Sequence, residues 1–225
     1  MIRRINSLRQ QCIVLDIDTQ RCFFGNNGKA CVHNNEAVLA NIRRVIAWTR
    51  LKHICVVSTK QVPVCYCDFQ RGNTNGLEKI GWTLRNRRTQ FDATDCTDLP
   101  NDILERYDQV IFCKRCIDPF EEPRADRMLT ELEADEFILI GSLVEGAIKA
   151  TALGLLARRK NVRVLVDAIG TCNAKAGKLA LRNMRAKGAK LSDTETLMNS
   201  SAVHLWSEQS YPILDRKQCE WENPD

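Results

Sequence analysis

The sequence predicts an α/β fold in which helices cover both faces of a doubly wound, mainly parallel sheet of six strands. Short runs rich in Val, Ile and Leu recur along the chain, as in parallel strands that are buried on both faces. The clearest runs span 12–18, 53–59, 109–114, 136–141 and 162–168. Segments with helical spacing alternate with these runs, and this alternation is typical of a right-handed, open α/β sheet.

The helical segments each carry one apolar face. Segments 35–51 and 144–159 place apolar residues three or four positions apart, which is the spacing of a buried helix face. A third segment, 174–187, ends at Gly188, a residue type that commonly terminates helices. Its expected buried face includes Leu179, Leu181 and Met184. Residues 192–195 have the pattern of a capping box, which predicts a last short helix.

Length and composition favour one domain. The chain has 225 residues, 44% hydrophobic content and no Pro/Gly/Ser linker, so we expect one domain over 1–225 with its core at about 12–200 and a tail at about 205–225. No run approaches the roughly 20 apolar residues of a membrane span, and no apolar stretch follows the N-terminal Arg3 and Arg4. The expected location is cytoplasmic, without a membrane partner.

The formal net charge is +5, with acids interspersed among the bases. Arg85, Arg87 and Arg88 form a basic cluster of the kind that binds nucleic acid. A solvated loop face is favoured for it, so no nucleic acid partner is expected.

Eleven cysteines without a secretory signal indicate buried thiols in a reducing compartment rather than a disulfide framework. Cys65 and Cys67 follow one predicted strand, and Cys113 and Cys116 lie at the end of another. Four thiolates at one sheet edge would make a structural zinc site. Because Cys113 is expected inside its strand, unliganded thiols and no cofactor are favoured, with zinc as the alternative.

Polar residues at strand ends form the candidate functional site. The first predicted strand ends on Asp18 and Gln20, and the third ends on Lys114. The fourth, 136–141, leads into a helix expected to begin near Val144. Carboxyl ends of parallel strands meet at one edge of an open sheet, where such folds bind ligands. An acid, an amine and a helix start at this edge are suited to polar chemistry.

These residues, in this order, resemble the isochorismatase-like hydrolase superfamily, which includes nicotinamidases, carbamoylsarcosine amidohydrolases and isochorismatases. The resemblance extends from about residue 12 to about residue 200. It rests on LDIDTQRCF at 15–23, Lys114 with Phe120, GSLVEGAIKAT at 141–151, and VLVDA at 164–168. It implies a Rossmann-type three-layer sandwich, a small-molecule substrate, a homo-oligomer, and a cis peptide between Ser142 and Leu143.

In the amidase branch the resemblance implies an Asp–Lys–Cys triad. Asp18 matches the acid and Lys114 the amine, but the nucleophile position holds Ala147. A cysteine attacks as a thiolate, and an alanine methyl cannot attack a carbonyl. Ordinary amidase chemistry is therefore not expected. The histidines that bind metal in nicotinamidases are also unmatched, because His33, His53 and His204 do not have their spacing.

The isochorismatase branch also lacks the cysteine, and the resemblance associates it with cleavage of a vinyl ether. Such chemistry needs a proton donor rather than a thiolate. Asp18 and Lys114 are the expected catalytic pair, acting on a small anionic substrate beside the space left at Ala147. Further residues are candidates for substrate binding: Gln20, Phe23, Gln61, Leu143, Val144 and Gly146.

Two alternatives remain open at this point. The chain is a catalytically inactive pseudoenzyme that binds a small ligand or a protein, in which case Asp18 and Lys114 persist as a buried charge pair. Alternatively, the group of Cys65, Cys67, Cys113 and Cys116 has a metal or redox role.

Overall fold

The computed structural model describes residue 5 and residues 10–25, 32–62 and 74–199. Within these ranges one sheet has seven strands, which are β1 (Gln10–Ile17), β2 (Val56–Gln61), β3 (Arg88–Phe91), β4 (Gln109–Lys114), β5 (Ala134–Ser142), β6 (Val162–Gly170) and β7 (Lys190–Ser192). Their order across the sheet is β3-β4-β2-β1-β5-β6-β7, and every adjacent pair is parallel. The expected α/β class is confirmed, with seven strands in place of six.

The helices of the described residues lie on both faces of this sheet. They are α1 (Arg21–Phe24), α2 (Asn35–Leu51), α3 (Ile103–Arg106), α4 (Pro123–Glu131), α5 (Lys149–Ala157), α6 (Ala174–Ala186) and α7 (Thr194–Asn199). One apolar core includes side chains of α2 and α7, and a second includes side chains of α3, α4, α5 and α6. The result is three layers. No helix in these ranges is long and apolar enough to cross a membrane.

Several element ends differ from the sequence prediction. His53 was expected to begin a strand, but it lies in the turn after α2 with φ +53°, and β2 starts only at Val56. Leu179 is 58% exposed, so it is not on the buried face of α6. The N–H of Thr196 donates to Asp193 Oδ1 (2.6 Å) at the start of α7, so Asp193, rather than Ser192, caps this helix.

The position of β1 determines where a site can form. It lies between β2 and β5, so the strand order reverses on its two sides, and its carboxyl end is the position where open α/β sheets bind their ligands. At Gly141 of β5, φ is +116° and an added Cβ would lie 1.9 Å from the carbonyl oxygen of Ile17. Only glycine permits this close approach, which brings the end of β5 against the end of β1.

Candidate functional site

Asp18 immediately follows β1 in a left-handed conformation, with φ +47°. Non-glycine residues rarely adopt such angles, although aspartate tolerates them better than most. Three contacts hold it there. Its N–H donates to Thr59 Oγ1 (3.2 Å), and its carbonyl accepts from Ser142 Oγ (3.1 Å) and from the N–H of Gln20 (2.8 Å). The backbone at Asp18 is therefore fixed by both neighbouring strands.

The Asp18 carboxylate forms a buried ion pair with Lys114. Asp18 Oδ2 lies 2.7 Å from Lys114 Nζ, and the two side chains are 4% and 1% exposed. Thr59 Oγ1 donates to the other carboxylate oxygen, Oδ1, at 2.6 Å. The contact between acid and amine that the sequence predicts is present at the expected sheet edge.

The Lys114 ammonium is surrounded by oxygen atoms. Besides Asp18, it donates to Gln61 Oε1 (2.7 Å) and to the carbonyls of Cys116 (3.1 Å) and Ile117 (3.2 Å). An ammonium group has three hydrogens, so these four acceptors saturate it. The protein alone holds Lys114 in one position.

Gln20 and Gln61 support this arrangement from the side of β2. The buried Gln20 amide donates to the carbonyls of Gln61 (2.9 Å) and Leu77 (2.6 Å), and its oxygen accepts the N–H of Gln61 (2.8 Å). Gln61 in turn donates from Nε2 to the carbonyl of Arg115 (2.9 Å). Both N–H groups of Gln20 are therefore bound within the protein, and its contacts place Gln61 against Lys114.

The third part of the site is the turn that carries Ala147. The Ser142–Leu143 peptide is cis, as expected. Residues Val144–Ile148 form a π-helical turn in which Gly146 is non-helical (φ −115°, ψ −107°), so the regular helix α5 begins at Lys149, later than predicted. The Leu143 carbonyl accepts the N–H groups of Gly146 and Ile148, both at 3.1 Å. Within this turn, Ala147 is 5% exposed to solvent.

A family model described as Isochorismatase domain matches residues 12–196. This chain belongs to the isochorismatase family. Solved structures share its fold, among them MAR1 ribonuclease from Caenorhabditis elegans, which is 17% identical over 92% of this chain and 100% of that chain, with a TM-score of 0.59. An isochorismatase family protein from Desulfovibrio vulgaris is 17% identical over 85% of this chain and 98% of that chain, with a TM-score of 0.63. The pyrazinamidase of Pyrococcus horikoshii, solved in complex with zinc, is 21% identical over 81% of this chain and 99% of that chain, with a TM-score of 0.62. No curated protein matches the sequence.

The other candidates for substrate binding in this isochorismatase-family chain differ in how deeply they are buried. Val144 is fully buried in the core, so only its backbone is available to a ligand. Phe23 and Leu143 are partly buried and pack against the other core. Gly146 is half-buried, and the 62% exposed Ile117 lies over it, 3.7 Å from where a Cβ would be.

Glu145 anchors the turn to the loop after β6. Its carboxylate accepts the hydroxyl of Thr171 (2.7 Å) and the N–H groups of Cys172 (3.0 Å) and Asn173 (3.1 Å). Asn173 caps α6 by accepting the N–H of Ala176 (2.9 Å). Glu145 therefore joins the Ala147 turn to the start of α6.

A second buried ion pair was not predicted from the sequence. Asp16 Oδ2 lies 2.9 Å from Lys79 Nζ, with side chains 0% and 3% exposed. Thr19 and Ser58 hydroxyls also donate to the Asp16 carboxylate. Lys79 donates to the carbonyl of Thr59 (3.1 Å), so this pair fixes the residue that binds Asp18. The signal that could have found it is an acid inside an apolar strand.

The cysteine group remains a prediction, because Cys65 and Cys67 lie outside the described residues. Cys113 points towards Asp92, with Sγ 3.7 Å from Oδ1, and burial raises the pKa of its thiol to about 11. Cys116 is exposed. Across 10–25, 32–62 and 74–199, no group of three or more His, Cys, Asp or Glu side chains is placed to hold a metal ion. A metal assay of the purified protein decides the zinc alternative.

Proposed function

We propose that this chain is a hydrolase that acts on a small anionic molecule by acid–base chemistry, without a covalent enzyme intermediate. Asp18 is the proton donor, and Lys114 orients it and attracts the anionic group. The supporting observation is the buried Asp18–Lys114 pair, with its 2.7 Å contact, at the edge of the sheet where Ala147 also lies. Membership of a hydrolase family supports the same reaction class.

A vinyl ether is the substrate class that best fits a site without a thiol. A proton passes from the Lys114 ammonium to the Asp18 carboxylate across their 2.7 Å contact, and Asp18 gives it to the alkene carbon, which leaves an oxocarbenium-like cation. Water adds to that cation and returns a proton to Asp18, and the resulting hemiketal breaks into a carbonyl compound and an alcohol. Each turnover consumes one water. Amide hydrolysis by the triad route is not proposed, because Ala147 has no nucleophilic atom.

The test is a screen of the purified full-length chain against vinyl ethers, amides and ureides, with Asp18→Asn as the catalytic variant. A proton donor typically contributes at least about 100-fold to a rate, so Asp18→Asn should lower kcat by that factor or more. Asp102→Asn is the matched control, because Asp102 is 39% exposed and pairs only with Arg106 in the described residues. Turnover that survives Asp18→Asn contradicts the assignment.

A second candidate function, ligand binding without turnover, has one observation in its favour. Lys114 and Gln20 already donate all of their N–H groups to protein acceptors, so Asp18 and Lys114 would serve only to hold the fold. In that case a small carboxylate binds in calorimetry, while the whole substrate screen shows no turnover. Turnover in the substrate screen separates the hydrolase from this function.

Ala147→Cys tests whether the pair still activates a group at the helix start. A thiol at this helix start, at the sheet edge that also carries Lys114, should have a lowered pKa and react quickly with iodoacetamide at neutral pH. Trypsin would release it in the 128–149 peptide, which has no other cysteine, whereas Cys113 lies in the 107–114 peptide. We expect labelling at least tenfold faster than at Cys113 and slowed again by adding Lys114→Met, which removes the cation that favours the thiolate. Equal rates at both positions would contradict a retained catalytic site.

A further inference from the structure

Helix α6 carries a row of cations on one exposed face. Lys175, Lys178, Arg182 and Arg185 are spaced by three, four and three residues, which places them on one side of a helix. All four are exposed. We call them the α6 basic row. From residue 168 to residue 192 the sequence has six Lys and Arg and no Asp or Glu, so this segment alone carries more positive charge than the net +5 of the chain.

The cations of the row are not neutralised by the described part of the protein. No carboxylate there forms an ion pair with any of them. Ten residues separate the first from the last, or about 15 Å along the helix axis. One strand of a nucleic acid duplex carries about four phosphates over that length, one for each cation.

The arginine cluster singled out from the sequence is bound within the protein instead. Arg85 is buried and donates to Thr49 Oγ1 (2.8 Å). Arg87 donates to the Arg106 carbonyl (2.7 Å), and Arg88 donates to the Arg85 carbonyl (2.8 Å). This cluster is held by protein acceptors, so the α6 basic row is the stronger candidate for contact with a partner.

We propose that the α6 basic row binds the phosphate backbone of a nucleic acid without sequence preference. An anionic membrane is the less favourable partner, because the apolar side chains Ala180, Leu181 and Met184 are packed in the core and cannot enter a bilayer. Only Leu179 is an exposed large apolar side chain on this helix. The helix has no aromatic residue on which bases could stack, which leaves backbone contacts.

The row begins beside the candidate site but does not depend on it. The turn before α6 is held by Glu145, two residues before Ala147, so Lys175 lies near the same edge of the sheet. Nucleic acid binding is measured without turnover. The proposal can therefore fail or succeed whatever the outcome of the hydrolase test.

The experiment measures fluorescence anisotropy of labelled duplex DNA, duplex RNA and single-stranded RNA with the full chain as salt is varied. Four phosphate contacts predict a slope of log K against log salt of about −3.6 on duplex DNA. The variant Lys178→Glu/Arg182→Glu should reduce this slope to about −1.8 and weaken binding at least tenfold at about 50 mM salt. Scrambling the sequence of the duplex should leave the affinity unchanged.

The matched control is Arg44→Glu/Lys52→Glu, which lowers the net charge by the same four units at exposed positions at α2, on the other face of the sheet. It should keep both slope and affinity. Equal losses of affinity in both double variants would show that the effect comes from net charge alone and would overturn the proposal. So would the absence of any anisotropy change, or binding of the chain to vesicles containing phosphatidylserine with none to nucleic acid.

Discussion

At the scale of single residues, the candidate site depends on two acids, Asp16 within β1 and Asp18 immediately after it. Asp18 meets Lys114 at the open edge of the sheet, and Asp16 meets Lys79 deeper in the fold. Thr59 connects them, because its hydroxyl donates to Asp18 and its carbonyl accepts from Lys79. We infer that Asp16 and Lys79 position the site, whereas Asp18 and Lys114 face the substrate.

Asp16→Asn should lower the free energy of unfolding by about 3–5 kcal/mol, because it leaves the Lys79 ammonium buried without its partner. Asp16→Asn/Lys79→Met removes both charges and should cost less than the single change. Urea unfolding followed by fluorescence measures both.

The control for this pair is Glu78→Gln, which breaks the exposed ion pair with Lys60, where the Glu78 side chain is 63% exposed. Exposed pairs contribute up to about 1 kcal/mol, so the loss there should be no larger. If Asp16→Asn were no more destabilising than Glu78→Gln, Asp16 and Lys79 would not hold the site.

Among the elements, the approach of β5 to β1 depends on Gly141. Gly141→Ala should prevent the strand ends from closing, because the added Cβ would meet the Ile17 carbonyl at 1.9 Å and φ is +116°. We expect a loss of several kcal/mol or no folded protein, measured by urea unfolding and circular dichroism. Gly81→Ala is the control, since nothing lies within 4 Å of its added Cβ. Similar stability of both variants would contradict this account.

Elements with a strong local pattern were predictable from the sequence. The helix predicted over 35–51 and the strand predicted over 109–114 match α2 and β4, because α2 buries one regular stripe and β4 is buried along its whole length. The edge strand β3 was missed, since its four residues are alternately exposed and half-buried and include a single large apolar side chain, Phe91. The three-residue β7 is too short to show a period.

The candidate site was predictable only in part, because only some of its residues lie at the end of a recognisable strand. Asp18 and Lys114 each end a recognisable strand, so their meeting followed from parallel strand geometry. Lys79 lies outside any strand with an apolar run, and its contact with Asp16 depends on how the segment after β2 returns to the sheet. The π-helical turn at Gly146 was also hidden, because glycine within a helical pattern does not specify which conformation it takes.

At the scale of the whole molecule, several buried or partly buried thiols stay protonated well above neutral pH. Burial raises the pKa of Cys12 to about 12 and those of Cys22 and Cys113 to about 11. An unfolded chain releases these protons near pH 8.5. Above that pH the unfolded state binds fewer protons than the folded state, so the thiols make stability fall as pH rises.

The free energy of unfolding should therefore decline between about pH 9 and pH 11, by up to about 1.4 kcal/mol per pH unit for each of the three thiols. Cys113→Ala should make the free energy of unfolding fall less steeply with pH, by the contribution of one thiol. The same change lowers stability at every pH because it removes buried volume. Ile111→Val, a deletion in the same strand without a titrating group, should lower stability equally across the range and leave the slope unchanged. Urea unfolding in reductant, at half-unit steps of pH, measures the stability of the wild-type chain and of both variants. If Cys113→Ala keeps the wild-type slope, the Cys113 thiol is not protonated in the folded protein over this range, and its contact with Asp92 must be looser than the 3.7 Å distance implies.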